Sequence, residues 1–241
     1  MEQRLLNEIE HGKYLLEHGA GEVWNWETPA GKKRWSRRVQ MLTQHVKEHM
    51  NVLEIGCGTG YFTKELAKTE AQITAIDISP DLLEAARHII KDRNVLFEVA
   101  NAYDMQYADA SFDIVVGSSV LHHLEVDKAL KEFFRVLKPG GKVVFTEPNM
   151  MNPQIAVQKN VPSIKKRMGD SPDETAFFRW SLKSTLKGHG FTNIQIDTFD
   201  FLHPQIPASM VSTMEPICMF VEKVPILKEI AGSLYIRAEK A

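Results

Sequence analysis

From about residue 50 onward, short apolar runs alternate with stretches whose apolar positions recur at helical spacing. Residues 52–55, 72–76, 95–99, 112–117 and 142–146 read as five strands, and 192–201 and 233–239 as two later ones. The fourth run is apolar almost throughout, as expected of a strand covered on both faces. Residues 59–68 read as a helix. Ser79-Pro80 opens another, an N-cap followed by proline at the first helical position, running to about Lys91. Residues 125–137 place Ala129, Leu130, Phe133, Phe134 and Leu137 on one face before Lys138-Pro139-Gly140-Gly141 ends the pattern, and 181–190 form a further helix closing on glycine. Such alternation predicts an α/β fold: a doubly wound, mostly parallel, seven-stranded sheet.

Three segments fall outside that rhythm. Residues 1–48 are polar and predict an N-terminal helical cap on a main domain of residues 49–241. Residues 148–178 form an insertion bearing proline and methionine. Residues 203–231, rich in Met, Ile, Val and Pro, form a second, whose apolar content suits a lid, a dimer surface or an interfacial membrane contact. A substrate lid is the preferred reading.

The first strand runs into V-L-E-I-G-C-G-T-G, with Gly56, Gly58 and Gly60 spaced G-x-G-x-G. A chain that leaves a buried strand, turns sharply and lets a ligand lie against it needs residues without a Cβ. The helix that follows points its N-terminal amides at the same crevice. A dinucleotide fingerprint would require glycine where Tyr61 stands, and a P-loop would require Gly-Lys-Ser/Thr where Tyr61-Phe62-Thr63 follows. Glu54 beside the turn suits a cationic ligand better than a pyrophosphate. About twenty residues on, the second strand ends in Asp77, placed to accept hydrogen bonds from both hydroxyls of a ribose.

Composition narrows the classes. At 44% hydrophobic and 25% charged, the chain can bury a substantial core, and a net charge of −2 supplies no field that favours nucleic acid. The basic run Lys32-Lys33-Arg34, continued by Arg37-Arg38, reads as a solvated helix face, although one arginine could reach a bound carboxylate. Cys57 and Cys218 match no metal or disulfide spacing and read as reduced thiols. No metal site is expected. The N-terminal residues lack the apolar core of a signal peptide and nothing reaches membrane-spanning length, so a cytoplasmic location is expected.

Taken with Asp77, Asn101-Ala102, Leu121-His122-His123-Leu124 and the R-V-L-K-P-G-G stretch from Arg135 to Gly141, the glycine turn closely resembles class I S-adenosylmethionine-dependent methyltransferases. The resemblance points to their small-molecule, ubiquinone-biosynthesis-like branch (methyltransferase type 11). It covers about residues 50–147 and, more loosely, 180–200. It implies a Rossmann-like fold and S-adenosylmethionine as cofactor, released as S-adenosylhomocysteine. By the same resemblance Gly56, Gly58 and Gly60 lie beneath the methionine and ribose, and Glu54 faces the ligand's amino group. Asp77 holds the ribose and Ile78 packs on the adenine. Asn101, standing where the family usually has Asp, meets the adenine amine with Ala102, and Ser118 offers its carbonyl to the ammonium.

The strand exit Gly117-Ser118-Ser119-Val120 lacks the Asn/Asp-Pro-Pro-Tyr often found in enzymes that methylate nucleobases. The expected reaction is therefore methylation of an O or N atom of a small metabolite, lipid-like or glycan-linked. The alternative is a non-catalytic cofactor-binding module or partner subunit. His122 and His123 follow the fourth strand and are candidate bases, His123 preferred, with a structural role for both equally open. Trp24 and Trp26 could close over the cofactor, and Trp26, Phe178, Arg179 and Trp180 are the candidate substrate contacts. A monomer or homodimer without a transmembrane segment, touching a membrane at most peripherally, completes the expectation.

Overall fold

In the computed structural model, which describes residues 3–241, seven strands form one sheet ordered β3-β2-β1-β4-β5-β7-β6. They are β1 (Asn51–Ile55), β2 (Gln72–Asp77), β3 (Val95–Val99), β4 (Phe112–Ser118), β5 (Leu137–Pro148), β6 (Phe191–Phe199) and β7 (Ser233–Lys240). All neighbours pair in parallel except β7, which runs antiparallel to both β5 and β6.

Among the described residues ten α-helices accompany the sheet. They are α1 (Gln3–His18), α2 (Ala20–Val23), α3 (Pro29–Thr43), α4 (Thr63–Ala67), α5 (Pro80–Ile89), α6 (Val126–Val136), α7 (Pro153–Asn160), α8 (Pro162–Arg167), α9 (Arg179–Gly188) and α10 (Ala208–Val221). Strand alternation sorts the core. Leu53, Ile55, Val115, Val143 and Phe145 face α6 and α9, where Phe133 and Leu182 are buried. Val52, Ile73, Ile114 and Val144 face α3, α4 and α5, where Leu42, Leu66 and Leu83 are buried. Each fully buried side chain of this size contributes roughly 1.5–3 kcal/mol.

The differences from the expected elements are local. The helix after the glycine turn begins at Thr63 rather than at residue 59, because Gly58–Phe62 is spent on turns that close the loop. Strand β5 starts at Leu137 and runs through Lys138-Pro139-Gly140-Gly141. Leu137 pairs with Phe112, and a register shift absorbs the segment before Lys142 meets Ile114. The cap is continuous with the main body: the C-terminal half of α3 sends Leu42 into the sheet core. The 148–178 insertion holds α7 and α8, and the 203–231 insertion holds α10. Among the described residues no helix is long and apolar enough to cross a membrane.

Candidate active site

The carboxyl ends of β1, β2 and β4 open into a cavity of about 630 Å³ that the cap and both insertions close from above. Sites for small organic ligands span roughly 300–1,000 Å³.

On the sheet side, Gly56, Gly58, Asp77, Ile78, Asn101, Ala102 and Ser119 line the cavity. Gly58 sits at φ +55, and a Cβ there would point into open space, with Trp24 at 3.8 Å as its nearest neighbour. A ligand can thus rest on bare backbone. Gly60, at φ +87, serves packing instead. A Cβ there would meet Ile90 Cδ1 at 2.5 Å, so this glycine lets the turn sit against α5. The Asp77 carboxylate accepts from the N–H groups of Gly58 and Ser79, each at 2.9 Å. Burial raises its pKa against those two donors, and each oxygen retains capacity for one more donor. Asn101 Oδ1 accepts from the Tyr103 N–H at 3.0 Å.

Besides Gly60, two expected cofactor contacts, Glu54 and Ser118, lie just outside the lining. Alternation along β1 puts Glu54 on the α4 side with Val52, beside Thr63, where burial pushes its carboxyl up to about 7. The Ser118 hydroxyl is engaged with Thr146 Oγ1 at 2.8 Å, and the cavity is lined instead by Ser119, held at φ +55.

The opposite wall is ionic. Glu147, buried at the end of β5, accepts from the N–H groups of Val120 (2.9 Å) and Leu121 (2.8 Å) and so fixes the 3-10 turn Leu121–His123. It also takes His122 Nδ1 at 2.7 Å. His123 Nδ1 lies 2.7 Å from Glu8 Oε2 of α1 and 3.8 Å from Glu174 Oε1. Burial disfavours charge on His123, yet Glu174 and Glu8 outweigh it and raise its pKa. Burial and the neighbouring His123 lower that of His122. Glu174 meets Lys159 at 2.5 Å and the Ser171 N–H at 2.6 Å. Burial opposes its ionisation, but His123, His122 and Lys159 hold its pKa at about 2. Ligand-type atoms of His122, His123 and Glu174 fall within 4.8 Å of one another. With both Glu174 oxygens already taken, the trio is organised as an ion-pair network.

The basic run of α3 divides: Lys32 and Lys33 are exposed as expected, whereas the arginines turn inward. Arg38 and Arg34 both reach Asp200, at 2.6 and 2.9 Å, and Arg37 pairs with Glu222. Burial would raise the Asp200 carboxyl, and Arg38 and Arg34 bring it to about 2. Both Arg34 and Arg38 lie over the Trp26 ring, which lines the cavity with Trp24. The buried Trp26 Nε1 has no hydrogen-bond partner among the described residues.

Of the expected substrate contacts, Trp26 alone reaches the cavity. Phe178 and Trp180 are exposed and stack on each other at 5.2 Å, and Arg179 pairs with Glu229. They lie at the start of α9, away from the residues that line the cavity.

Glu8, His11, Lys159, Glu174 and Asp200 line the cavity without any expectation from sequence. One signal existed: Leu5, Glu8, Gly12 and Leu15 recur at helical spacing, an apolar stripe interrupted by a carboxylate.

A family model described as a methyltransferase domain matches residues 53–145. The demethylmenaquinone methyltransferase of Staphylococcus haemolyticus is 30% identical over 190 residues, covering 69% of this chain and 78% of its own. A structure from Thermotoga maritima, described as a possible histamine N-methyltransferase, superposes at TM-score 0.68 with 18% identity, covering 95% of this chain and 98% of its own. Phosphoethanolamine N-methyltransferase 2 of Haemonchus contortus, solved with S-adenosylmethionine, superposes at TM-score 0.66 with 20% identity, covering 91% and 55%. The chain spans about half the length of several other curated relatives that it matches.

The bare backbone at Gly58, the amide-held Asp77 carboxylate and the apolar Ile78 and Ala102 beyond it suit a nucleoside. Local geometry, the domain match and the Staphylococcus relative agree: this chain belongs to the S-adenosylmethionine-dependent methyltransferases.

Proposed function

We propose that this chain transfers a methyl group from S-adenosylmethionine to an oxygen or nitrogen atom of a small metabolite, lipid-like or glycan-linked. The observation that carries the reading is the shared lining: Gly58 and Asp77 face the same cavity as His122, His123 and Glu174. Relatives described as O-methyltransferases and as phosphoethanolamine N-methyltransferases support both atom types.

When bound, the sulfonium cofactor supplies an activated methyl group and needs little covalent help. The protein's part is placement. Asp77 holds the sugar, Gly56 and Gly58 leave room for the chain, and Ile78, Asn101 and Ala102 receive the base. Glu54, Gly60 and Ser118 support the turn and strand end from behind. Trp24 and Trp26 cover the site, and fixing nucleophile and methyl carbon in line is worth up to roughly 7–11 kcal/mol in favourable cases.

The acceptor also loses a proton, and a positioned base contributes about 10²- to 10⁴-fold. The electrostatics divide the histidines. His122 is disposed to be neutral, with Nδ1 engaged by Glu147 and Nε2 free of a hydrogen bond among the described residues, 3.8 Å from Glu174 Oε2. His123, the candidate from sequence, favours its proton beside Glu8 and Glu174. We assign the base to His122 and the charge that orients it to His123.

The test is turnover of S-adenosylmethionine over a metabolite panel by wild type, His122→Ala and His123→Ala, with S-adenosylhomocysteine affinity measured alongside. His122→Ala is expected to lower turnover 100-fold or more at nearly unchanged affinity. Wild-type activity should already be full at neutral pH. Activity that climbs only well above pH 6.5, the ordinary histidine value, would transfer the role to His123. Tight cofactor binding with no methylated product from any metabolite would leave a binding module instead of an enzyme.

A further inference from the structure

We propose that the outer face of α10 and the loop after it seat the protein on an anionic lipid surface beside the cavity mouth. The helix is apolar over most of its circumference, and only part of that surface is packed. Val211, Met214 and Cys218 pack inward against Ala30 and Leu202. Met210, Ile217, Met219 and Phe220 flank that packed stripe and are exposed, Phe220 at 68%. The following loop continues the apolar surface with Leu227 and with Ile226, which is 82% exposed at φ +73. A β-branched residue in that left-handed conformation is strained, and the strain here presents an isoleucine to solvent.

The charges decide what covers this face. Glu215, Glu222 and Glu229 are each paired inward, with Lys33, Arg37 and Arg179. Lys223 and Lys228 have no partner among the described residues. The uncompensated charge around the apolar stripe is therefore positive. A second copy docked on the same face would bring these lysines toward their own equivalents, whereas anionic headgroups complement them and the apolar side chains enter the acyl boundary.

The 148–178 insertion repeats the composition. Val161, Ile164 and Met168 are exposed on and beside α8, near Lys166 and Arg167, which also lack partners among the described residues. Both insertions reach the cavity, one through Met168 and the other through His203, Pro204 and Gln205. The inference stands on surface chemistry alone and does not require the catalytic reading.

Flotation of the full chain with phosphatidylcholine vesicles, with and without phosphatidylglycerol, tests it. The protein is expected to float with the anionic vesicles and to release as salt is raised. Phe220→Ser with Ile226→Ser should abolish flotation. Lys223→Gln and Lys228→Gln should each weaken it about fivefold. All variants should keep the wild-type melting temperature and S-adenosylhomocysteine affinity, since the altered side chains are exposed. Three results would overturn the proposal: no flotation with anionic vesicles, flotation indifferent to these substitutions, or a vesicle-free dimer that Phe220→Ser with Ile226→Ser dissociates.

Discussion

The two walls of the cavity are built by different physics. The sheet wall is a backbone device: Asp77 is fixed by two amides, and its partner Gly58 lies only nineteen residues away. The cap wall is a side-chain device that ties distant segments together, Glu8 to His123 and Arg38 to Asp200, the latter pair 162 residues apart. Amides on a paired sheet have few alternatives once the strands form. Buried ion pairs depend on each partner's presence, because a stranded charge in a dry site is far more costly than the pair is valuable.

That contrast can be broken at its cap side first. Arg38→Ala leaves Asp200 with Arg34 as its one charged partner beside the Ser233 hydroxyl, in a site where both Arg38 and Asp200 are nearly inaccessible. A loss of about 3–5 kcal/mol is expected, read as a fall in Tm of roughly 10 °C. On the sheet side, Asp77→Ala should weaken S-adenosylhomocysteine about 100-fold by calorimetry, the value of two hydrogen bonds to a carboxylate. Retained affinity would separate the glycine turn from sugar recognition.

A smaller effect probes the link between α1 and the histidines. Glu8→Gln should cost about 1–2 kcal/mol with a characteristic pH dependence. Because the folded pKa of His123 is raised, its stabilising contribution is full below about pH 6.5 and fades as pH climbs through the raised value. Glu174 is lowered, so its contribution is present above about pH 4.5 and disappears as pH falls toward 2. Melting curves should therefore show the largest wild-type advantage between those two pH values. The smallest effect belongs to the outer turn of α9: Phe178→Ser and Trp180→Ser should stay within about 0.5 kcal/mol of wild type and leave acceptor KM unchanged.

The same contrast explains what could be read from sequence. Strand-helix alternation, the glycine spacing and Asp77 are short-range patterns, and the sheet and its cofactor wall follow from them. Glu8, Lys159 and Glu174 meet only after three separate segments converge, and a single sequence carries no mark of such pairing. Arg34 and Arg38 looked like a charged face because four-residue spacing cannot tell solvent from a buried Asp200. Phe178 and Trp180 misled for the converse reason: aromatic character suggests a pocket, while both rings stay exposed and stack on each other outside the cavity.

Strand β7 lies between β5 and β6, although it is synthesised after both. Until Ser233–Lys240 leaves the ribosome, β6 has nothing to pair with and one edge of β5 stands open. Five strands can assemble as the chain emerges, but the final two must join almost together. Nascent molecules therefore pass through an interval with unsatisfied sheet edges, when chaperone protection matters most.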